Sequence, residues 1–229
     1  MLGAADASMG RSERWWRRTR IGLALSAIGL LVSWIPIVAV FGAFFLSFGS
    51  TFLFLGAKAA GRRHEVAVVV AFLALAIGGV IVGVLVSAFS LEALEAARQG
   101  LPMRSLQEPA NLMLWATLPA SFALAAGFGL QVVYLIPRRS RTLLLLLSIS
   151  LILTAIATTW LAAPEVTALN EAPVRGATYA DFMIRISVYR MIEAPAYVGL
   201  AILYLASYWN AMPGIGSFQA VPMRFPDEG

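Results

Sequence analysis

Most of the side chains that could do chemistry lie in one stretch near the end of the chain, around Glu193. Arg190 precedes this carboxylate by three residues, and Pro195 follows it by two. Because proline lacks the N–H of the helix ladder, it would free a backbone carbonyl beside Glu193 and permit a kink. At 100° per residue, the polar side chains of this stretch fall within about 100° of one another on a helix: Tyr189, Glu193, Tyr197, Tyr204, Ser207 and Tyr208.

A second polar stripe lies in the preceding apolar stretch, where Ser150, Thr154 and Thr158 recur every four residues. If the two helices face each other, the stripes would form a polar path for a cation, a proton or a small polar solute. The alternative is that Glu193 pairs with Arg190 and reaches toward the interface, with the tyrosines as interfacial anchors. Both interpretations stay open at this point. A further polar residue, Gln131, is expected to make a hydrogen bond between helices.

Other kinds of chemistry find little support in the residue types. The chain has no cysteine and a single histidine, His64, which excludes disulfides, thiolate metal sites and a bis-histidine haem within one chain. Walker A, Gly-x-Ser-x-Gly and His-Glu-x-x-His motifs are all missing. His64 stands among charged residues and is expected to be a solvated turn residue. We therefore predict that the protein is not an enzyme, with no metal site and no cofactor.

Composition places the chain in a membrane. Hydrophobic residues make up 60% of its 229 positions and charged residues 13%, whereas a soluble domain has about 25% charged residues. So few charges could not cover the surface of a soluble protein of this length. The apolar segments are continuous rather than alternating, which favours helices over a β-barrel. The sequence predicts an all-α integral membrane protein.

Six apolar segments are candidates for crossing the membrane, which takes about 20 helical residues. The run from Ile21 to Ala57 is too long for one crossing and is interrupted at Ser33-Trp34-Ile35-Pro36. It predicts a tight hairpin of two short spans. The third span is expected to continue as a water-exposed helix that stops at Gly100. The predicted spans are 21–35, 37–57, 66–89, 111–136, 142–163 and 186–209.

Arginine and lysine determine the expected orientation. With the N-terminus inside, the cytoplasmic segments hold twelve of them and the outer segments five. The fold prediction is therefore a bundle of about six transmembrane helices in the cell membrane, with both termini cytoplasmic. The predicted regions are a basic segment, 1–20, with an interfacial anchor of Trp15 and Trp16; a six-span domain, 21–209; and a cytoplasmic tail, 210–229.

The basic residues beside the predicted spans suggest a partner. Their positions are those that the positive-inside rule and anionic lipid already require, so they do not indicate nucleic-acid binding. We expect them to contact anionic headgroups of the bilayer at Arg17, Arg18, Arg62, Arg63, Arg138 and Arg139.

Small residues predict where the helices touch, because helix association in lipid depends on close packing. Glycines recur every seven residues on the first two spans, and small residues recur every four on the third and fourth. We expect these stripes to pack spans against one another within the monomer; the alternative is a homodimer or a face for a partner subunit. The residues are Gly22, Gly29, Gly42, Gly49, Gly56, Gly79, Gly83, Ala125 and Gly129.

Two functions follow from these patterns. The first is a non-catalytic membrane protein that serves as an accessory or structural subunit of a membrane assembly. The second is a small transporter or channel with a polar path between spans five and six near Glu193. An internal repeat, which would support a transporter, is not evident in the sequence.

Overall fold

The structure is a computed structural model that describes residues 2–35 and 38–211, with side chains from residue 13 onward. The described chain is helical, without a β-strand, as the sequence predicts. The predicted break at Pro36 and nearly all of the predicted tail, 212–229, lie outside the described residues. The described residues form seven α-helices in this order: α1 Leu2–Ser33, α2 Ala39–Leu55, α3 Arg62–Gln99, α4 Gln107–Val132, α5 Arg138–Thr167, α6 Gly176–Tyr189 and α7 Ala194–Asn210. Three short 3-10 helices occupy Ala57–Ala60, Met103–Leu106 and Arg190–Glu193.

Four helical segments of the described chain are long and apolar enough to cross a membrane: Arg62–Gln99, Met103–Val132, Arg138–Thr167 and Gly176–Asn210. The chain is thus a multi-pass membrane protein by length and composition. The hairpin helices are shorter: the 17 residues of α2 span about 26 Å, and the apolar part of α1 about 20 Å. The last segment begins at Gly176, ten residues before the predicted start at position 186. The difference arises because α6 begins before the apolar stretch from which the span was predicted.

The hairpin of α1 and α2 is held by glycines that face each other. A Cβ atom on Gly22 would lie 2.7 Å from the backbone nitrogen of Leu53, and one on Gly49 would lie 2.7 Å from that of Ser26. At the end of the hairpin, the Thr19 hydroxyl donates a hydrogen bond to the Gly56 carbonyl (3.0 Å). Only residues without a side chain permit such close backbones.

The α1–α2 contact therefore uses all five glycines named for these two spans. A Cβ on Gly29 would lie 2.9 Å from the carbonyl oxygen of Gly42, and one on Gly42 would lie 2.9 Å from the backbone nitrogen of Ser33. The Ser33 hydroxyl donates a hydrogen bond back to the Gly29 carbonyl (2.6 Å). The seven-residue repeat keeps these positions on one side of each helix.

The contact between α3 and α4 uses a different face from the expected one. A Cβ on Gly78 would lie 3.0 Å from the Ala120 carbonyl, whereas Gly79 and Gly83 have nothing within 4 Å in the described chain. The expectation that Gly79 and Gly83 pack within the monomer is therefore wrong. One residue turns a helix by 100°, so burying Gly78 leaves Gly79 outside.

The other small residues of α4 face neighbouring helices. Ala125 is fully buried in the core, and a Cβ on Gly127 would lie 3.2 Å from the Ala71 carbonyl of α3. Gly129 faces α5, where a Cβ would lie 3.1 Å from the Ser148 hydroxyl. Helix α4 thus packs between α3 and α5.

Two separate hydrophobic cores hold the helices together. The larger core joins α1, α2, α3, α4, α5 and α7, with Leu23, Val132 and Leu200 among its fully buried members. The smaller core joins the far ends of α3, α4 and α5 to α6, around Phe89, Leu106 and Phe182; we call this unit the cap. Within the cap, the Met103 and Val174 nitrogens donate backbone hydrogen bonds to Ala172 (2.7 Å) and Leu101 (2.8 Å).

Helix α3 reaches from one end of the bundle into the cap. It ends at Gln99, and Gly100 follows with φ 67° in the left-handed region. Glycine adopts this conformation readily and closes the helix with backbone hydrogen bonds to Ala96 and Ala97. The prediction that the third span continues to Gly100 is confirmed.

The end of the bundle opposite the cap carries most of the basic residues. There the Thr19–Gly56 hydrogen bond joins α1 to the turn after α2, and Tyr208 of α7 lies with Arg17 and Ile21 beside one groove. We call this end the basic end. Its exposed arginines include Arg14, Arg17, Arg18, Arg62, Arg63, Arg138 and Arg139.

Candidate functional site

The helix that carries Glu193 is interrupted where the sequence places a kink. Helix α6 ends at Tyr189, a 3-10 turn covers Arg190–Glu193, and α7 begins at Ala194 with Pro195 in its first turn. Proline suits this position, since the first N–H groups of a helix have no partner within it. The Glu193 side chain is only 6% exposed. The break therefore buries a carboxylate between α5 and α7.

Thr158 of α5 is a polar neighbour of the break. Its hydroxyl donates a hydrogen bond to the Tyr189 carbonyl (3.3 Å) and lies beside the Glu193 carboxylate. The Tyr189 carbonyl is near the end of α6, where helical carbonyls lose their partners. Thr158 thus joins α5 to the interrupted helix at the point where Glu193 is buried.

Arg190 is exposed and lies on the other side of this cluster, near both Glu193 and the buried Tyr197 hydroxyl. The ion pairs formed by side chains of the described residues are Lys58–Glu65, Arg104–Glu171, Arg185–Glu165 and Arg185–Asp181. Arg190 and Glu193 are therefore neighbours without forming a direct ion pair. Glu193 is therefore a buried carboxylate whose neighbours are the Arg190 guanidinium and the Thr158 hydroxyl.

The two predicted polar stripes meet only at one end, where Thr158 lies beside Glu193. Thr154 donates its hydroxyl to the Ser150 carbonyl of its own helix (2.8 Å), which satisfies it without α7. Between this level and the basic end, Leu147 of α5 packs against Gly199 of α7, where a Cβ would lie 2.6 Å from a Leu147 methyl. The contact between α5 and α7 is polar at Thr158 and apolar at Leu147.

Tyr204 forms a second buried polar pair with Gln131 of α4. The hydroxyl oxygen lies 2.7 Å from the Gln131 side-chain oxygen and 3.0 Å from the Phe128 carbonyl. Both side chains are fully buried, and the Gln131 amide nitrogen has no partner in this orientation. Since a hydroxyl has one proton, both groups are satisfied when Tyr204 donates to Phe128 and accepts from a rotated Gln131 amide. The expected interhelical hydrogen bond of Gln131 is present.

Tyr189 belongs to a polar network in the cap. Its hydroxyl donates to Glu165 (3.1 Å), and Arg185 bridges Glu165 (3.8 Å) and Asp181 (2.5 Å). A cavity of about 120 Å³ lies beside this network. No sequence motif marks Glu165 as part of this network, although the spacing of Asp181 and Arg185 by four residues is a recognisable helical ion-pair signal.

His64 lies in a different environment from the expected solvated turn. It is in the first turn of α3 with 0% exposure, on the same face as the buried Val68. Neither ring nitrogen has a hydrogen-bond partner in the described chain. The described residues also contain no group of three or more His, Cys, Asp or Glu side chains that could hold a metal. His64 is therefore a buried polar residue, and the expectation of a solvated histidine is wrong.

Replacing His64 with leucine is expected to raise the melting temperature. A buried polar group without a partner costs about 1–3 kcal/mol, and leucine has similar size without polar atoms. We expect a gain of about 1 kcal/mol, or roughly 2–4 °C, in a thermal unfolding measurement in detergent. His64→Asn, which keeps a polar group in the same space, is the control and should not raise the melting temperature. A clear loss of stability in His64→Leu would show that the imidazole has an essential partner.

Comparison of the chain with models of protein families, with curated proteins and with solved structures found no match. Two features of the described residues bear on function. One is the buried cluster of Glu193, Thr158 and Tyr197; the other is the open glycine face of α3.

Proposed function

We propose that the protein is a non-catalytic, multi-span component of the cell membrane that serves as an accessory or structural subunit of a membrane assembly. The observation that carries the proposal is the outward face of α3 around Ala76, Gly79, Gly83 and Ser87, which we call the α3 face. All four residues are exposed. The apolar part of α3 is the least buried of the four long segments.

The α3 face has the chemistry of a helix–helix contact. Small residues let a second backbone approach closely in lipid, where packing is the main source of helix association. The neighbouring Val80 and Val84 are exposed as well, so they flank the groove with apolar surface. Glycine inside a helix costs about 1 kcal/mol relative to alanine in soluble hosts. A close contact with another helix would offset that cost at Gly79 and Gly83.

A photo-cross-linking experiment tests the assembly proposal. Since the chain has no cysteine, Ser87→Cys offers one site for a photoreactive maleimide in native membranes. We expect a discrete cross-linked product, either a dimer of the chain or a complex with another membrane protein. Adding Gly83→Leu should reduce the product by at least about tenfold, equivalent to about 1.4 kcal/mol, because the side chain fills the groove.

The matched control is Ile77→Leu. Ile77 is also exposed on α3, but it lies outside the α3 face. This substitution should leave the yield of cross-linked product unchanged. The proposal fails if Ser87→Cys gives no discrete product, or if Gly83→Leu and Ile77→Leu give the same yield as the parent.

In this proposal the chain crosses the membrane six times, with the basic end and both termini in the cytoplasm. Aromatic residues at both ends of α4 support this placement of the bundle in the membrane. Trp115 and Trp160 stack edge-to-face near the cap (5.5 Å), and Tyr134 lies near the other end of α4. From Trp115 to Tyr134 a helix rises about 29 Å, which matches the roughly 30 Å hydrocarbon layer. The exposed arginines of the basic end would then meet anionic headgroups on the cytoplasmic side.

Accessibility labelling tests this orientation. Glu171→Cys, an exposed position in the cap, should react with an impermeant maleimide added outside intact cells. Arg63→Cys at the basic end should react only after the cells are opened. A protease should remove a C-terminal tag only from the cytoplasmic side. Labelling of both cysteines from one side would overturn the six-span topology.

A second candidate function, a small transporter with a polar path near Glu193, is favoured by the buried carboxylate at the helix break. Intramembrane carboxylates often mark ion or proton pathways. This candidate predicts that Glu193→Gln lowers cation or proton flux in proteoliposomes by at least about tenfold, or 1.4 kcal/mol, while thermal stability is kept. Ser150→Ala, on the part of the stripe that does not reach Glu193, should leave flux unchanged. A stability loss without any change in flux would remove this candidate.

A further inference from the structure

A groove between α1 and α7 at the basic end has a chemistry that neither proposed function uses. Its volume is about 420 Å³, and its lining combines two arginines, a tyrosine and apolar residues of α1. The lining residues are Arg17, Arg20, Ile21, Ala24, Leu25 and Tyr208. Charged and apolar walls in one groove suit an amphipathic ligand rather than a small ion.

The polar part of the groove is suited to a phosphate group. Arg17 and Arg20 are three residues apart on α1, so their side chains lie on the same side of the helix. Neither belongs to an ion pair within the described part of the chain. Guanidinium groups bind phosphate oxygens in a two-pronged geometry, and the Tyr208 hydroxyl of the facing helix can donate a further hydrogen bond.

The apolar part of the groove continues along α1 toward the middle of the bilayer. Ile21, Ile28 and Leu31 are exposed large side chains of α1, and Leu205 is one of α7. Next to the polar part, Trp209 packs edge-on against Tyr208 (5.8 Å). An aromatic residue of this kind is typical of headgroup depth. A ligand here therefore has its phosphate at the membrane interface and its hydrocarbon in the lipid layer.

We propose that this groove is a specific binding site for one anionic glycerophospholipid. Its phosphodiester lies between Arg17, Arg20 and Tyr208, and an acyl chain follows Ile21 and Ile28. The site differs from general attraction of headgroups to the basic end, because it combines both arginines with a hydroxyl from a second helix and an apolar track. Binding should join α1 to α7 and stabilise the bundle.

Native mass spectrometry of the full chain with added lipids tests the proposal. The probes are dioleoylphosphatidylglycerol, dioleoylphosphatidylcholine and inorganic phosphate. We expect one phosphatidylglycerol retained per chain and a rise in melting temperature with this lipid alone. The variant Arg17→Gln/Arg20→Gln should retain at least about tenfold less phosphatidylglycerol, because it removes both guanidinium groups that face the phosphate.

The matched control is Arg138→Gln/Arg139→Gln, which removes the same charge from the basic end but outside the groove. It should retain clearly more phosphatidylglycerol than the groove variant, because Arg138 and Arg139 meet headgroups only through general attraction at the basic end. Tyr208→Phe removes only the hydroxyl and should lower retention about threefold, so it tests the site even if the double arginine variant does not fold. Equal losses in the two double variants would overturn the proposal. Equal retention of phosphatidylcholine, or equal stabilisation by inorganic phosphate, would also overturn it.

Discussion

Replacing Gly49 with alanine is expected to destabilise the protein strongly, because the added methyl group would lie inside the contact between α1 and α2. The new Cβ would lie 2.7 Å from the Ser26 backbone nitrogen and 3.0 Å from the Gly22 carbonyl oxygen. These are backbone atoms of α1, so they move only if the two helices separate. Overpacking of this kind costs about 3 kcal/mol. Thermal unfolding in detergent, followed by size-exclusion chromatography, measures the loss.

The control for Gly49→Ala is the same substitution at Gly79 on the α3 face. A Cβ there meets nothing within 4 Å of the described chain, and alanine is the better helix former by about 1 kcal/mol in soluble hosts. Gly79→Ala should therefore leave the melting temperature of the isolated chain unchanged or raise it. The hairpin argument fails if the two alanine variants have the same stability.

Removing the Tyr204 hydroxyl with Tyr204→Phe is expected to lower the free energy of unfolding by about 2 kcal/mol, because a buried partner is left unsatisfied. The hydroxyl lies within hydrogen-bond distance of both the Phe128 carbonyl and the Gln131 side chain. Neither Tyr204 nor Gln131 has exposed surface through which water could replace the lost bond. The pair should therefore act as a unit that holds α4 against α7.

A double-mutant cycle separates this interaction from the effect of each residue alone. Gln131→Leu removes the amide, and the double variant Tyr204→Phe/Gln131→Leu removes both partners. We expect a coupling of about 1.5 kcal/mol, at the upper end of values for hydrogen bonds within membranes. Reversible unfolding of all four proteins in mixed detergent measures it. Additive losses would show that Tyr204 and Gln131 stabilise the bundle independently.

The four-residue repeat at Gly79 and Gly83 did not predict the contact between α3 and α4, but other sequence patterns did predict structural features. The hairpin is an example: glycines spaced by seven stay on one side of a helix, and two such helices have few other ways to pack closely. The helix end at Gly100 is another, because a positive φ is a local requirement that glycine meets. Both predictions rest on short stretches of sequence, and neither requires knowing how distant helices pack.

The site around Glu193 was predictable only in part. The break followed from Pro195, and the spacing of Thr158 from Thr154 placed both on one side of α5. Which of them reaches Glu193 depends on the position of α5 along α7, where Leu147 packs against Gly199. Tyr189 shares a helical face with Glu193, yet its hydroxyl binds Glu165 in the cap.

By itself, the sequence determined that this protein is a helical membrane protein, where its first two helices meet and where its last long helix is interrupted. These properties follow from composition, repeat spacing and proline, which act locally. Only the tertiary structure decided which side of α3 is buried, that His64 lies in the interior, and that the ends of four helices form a separate cap. Such outcomes depend on the rotation and sliding of whole helices. A rotation of 100° exchanges Gly78 for Gly79 at a contact, and only the summed packing of distant residues selects between them.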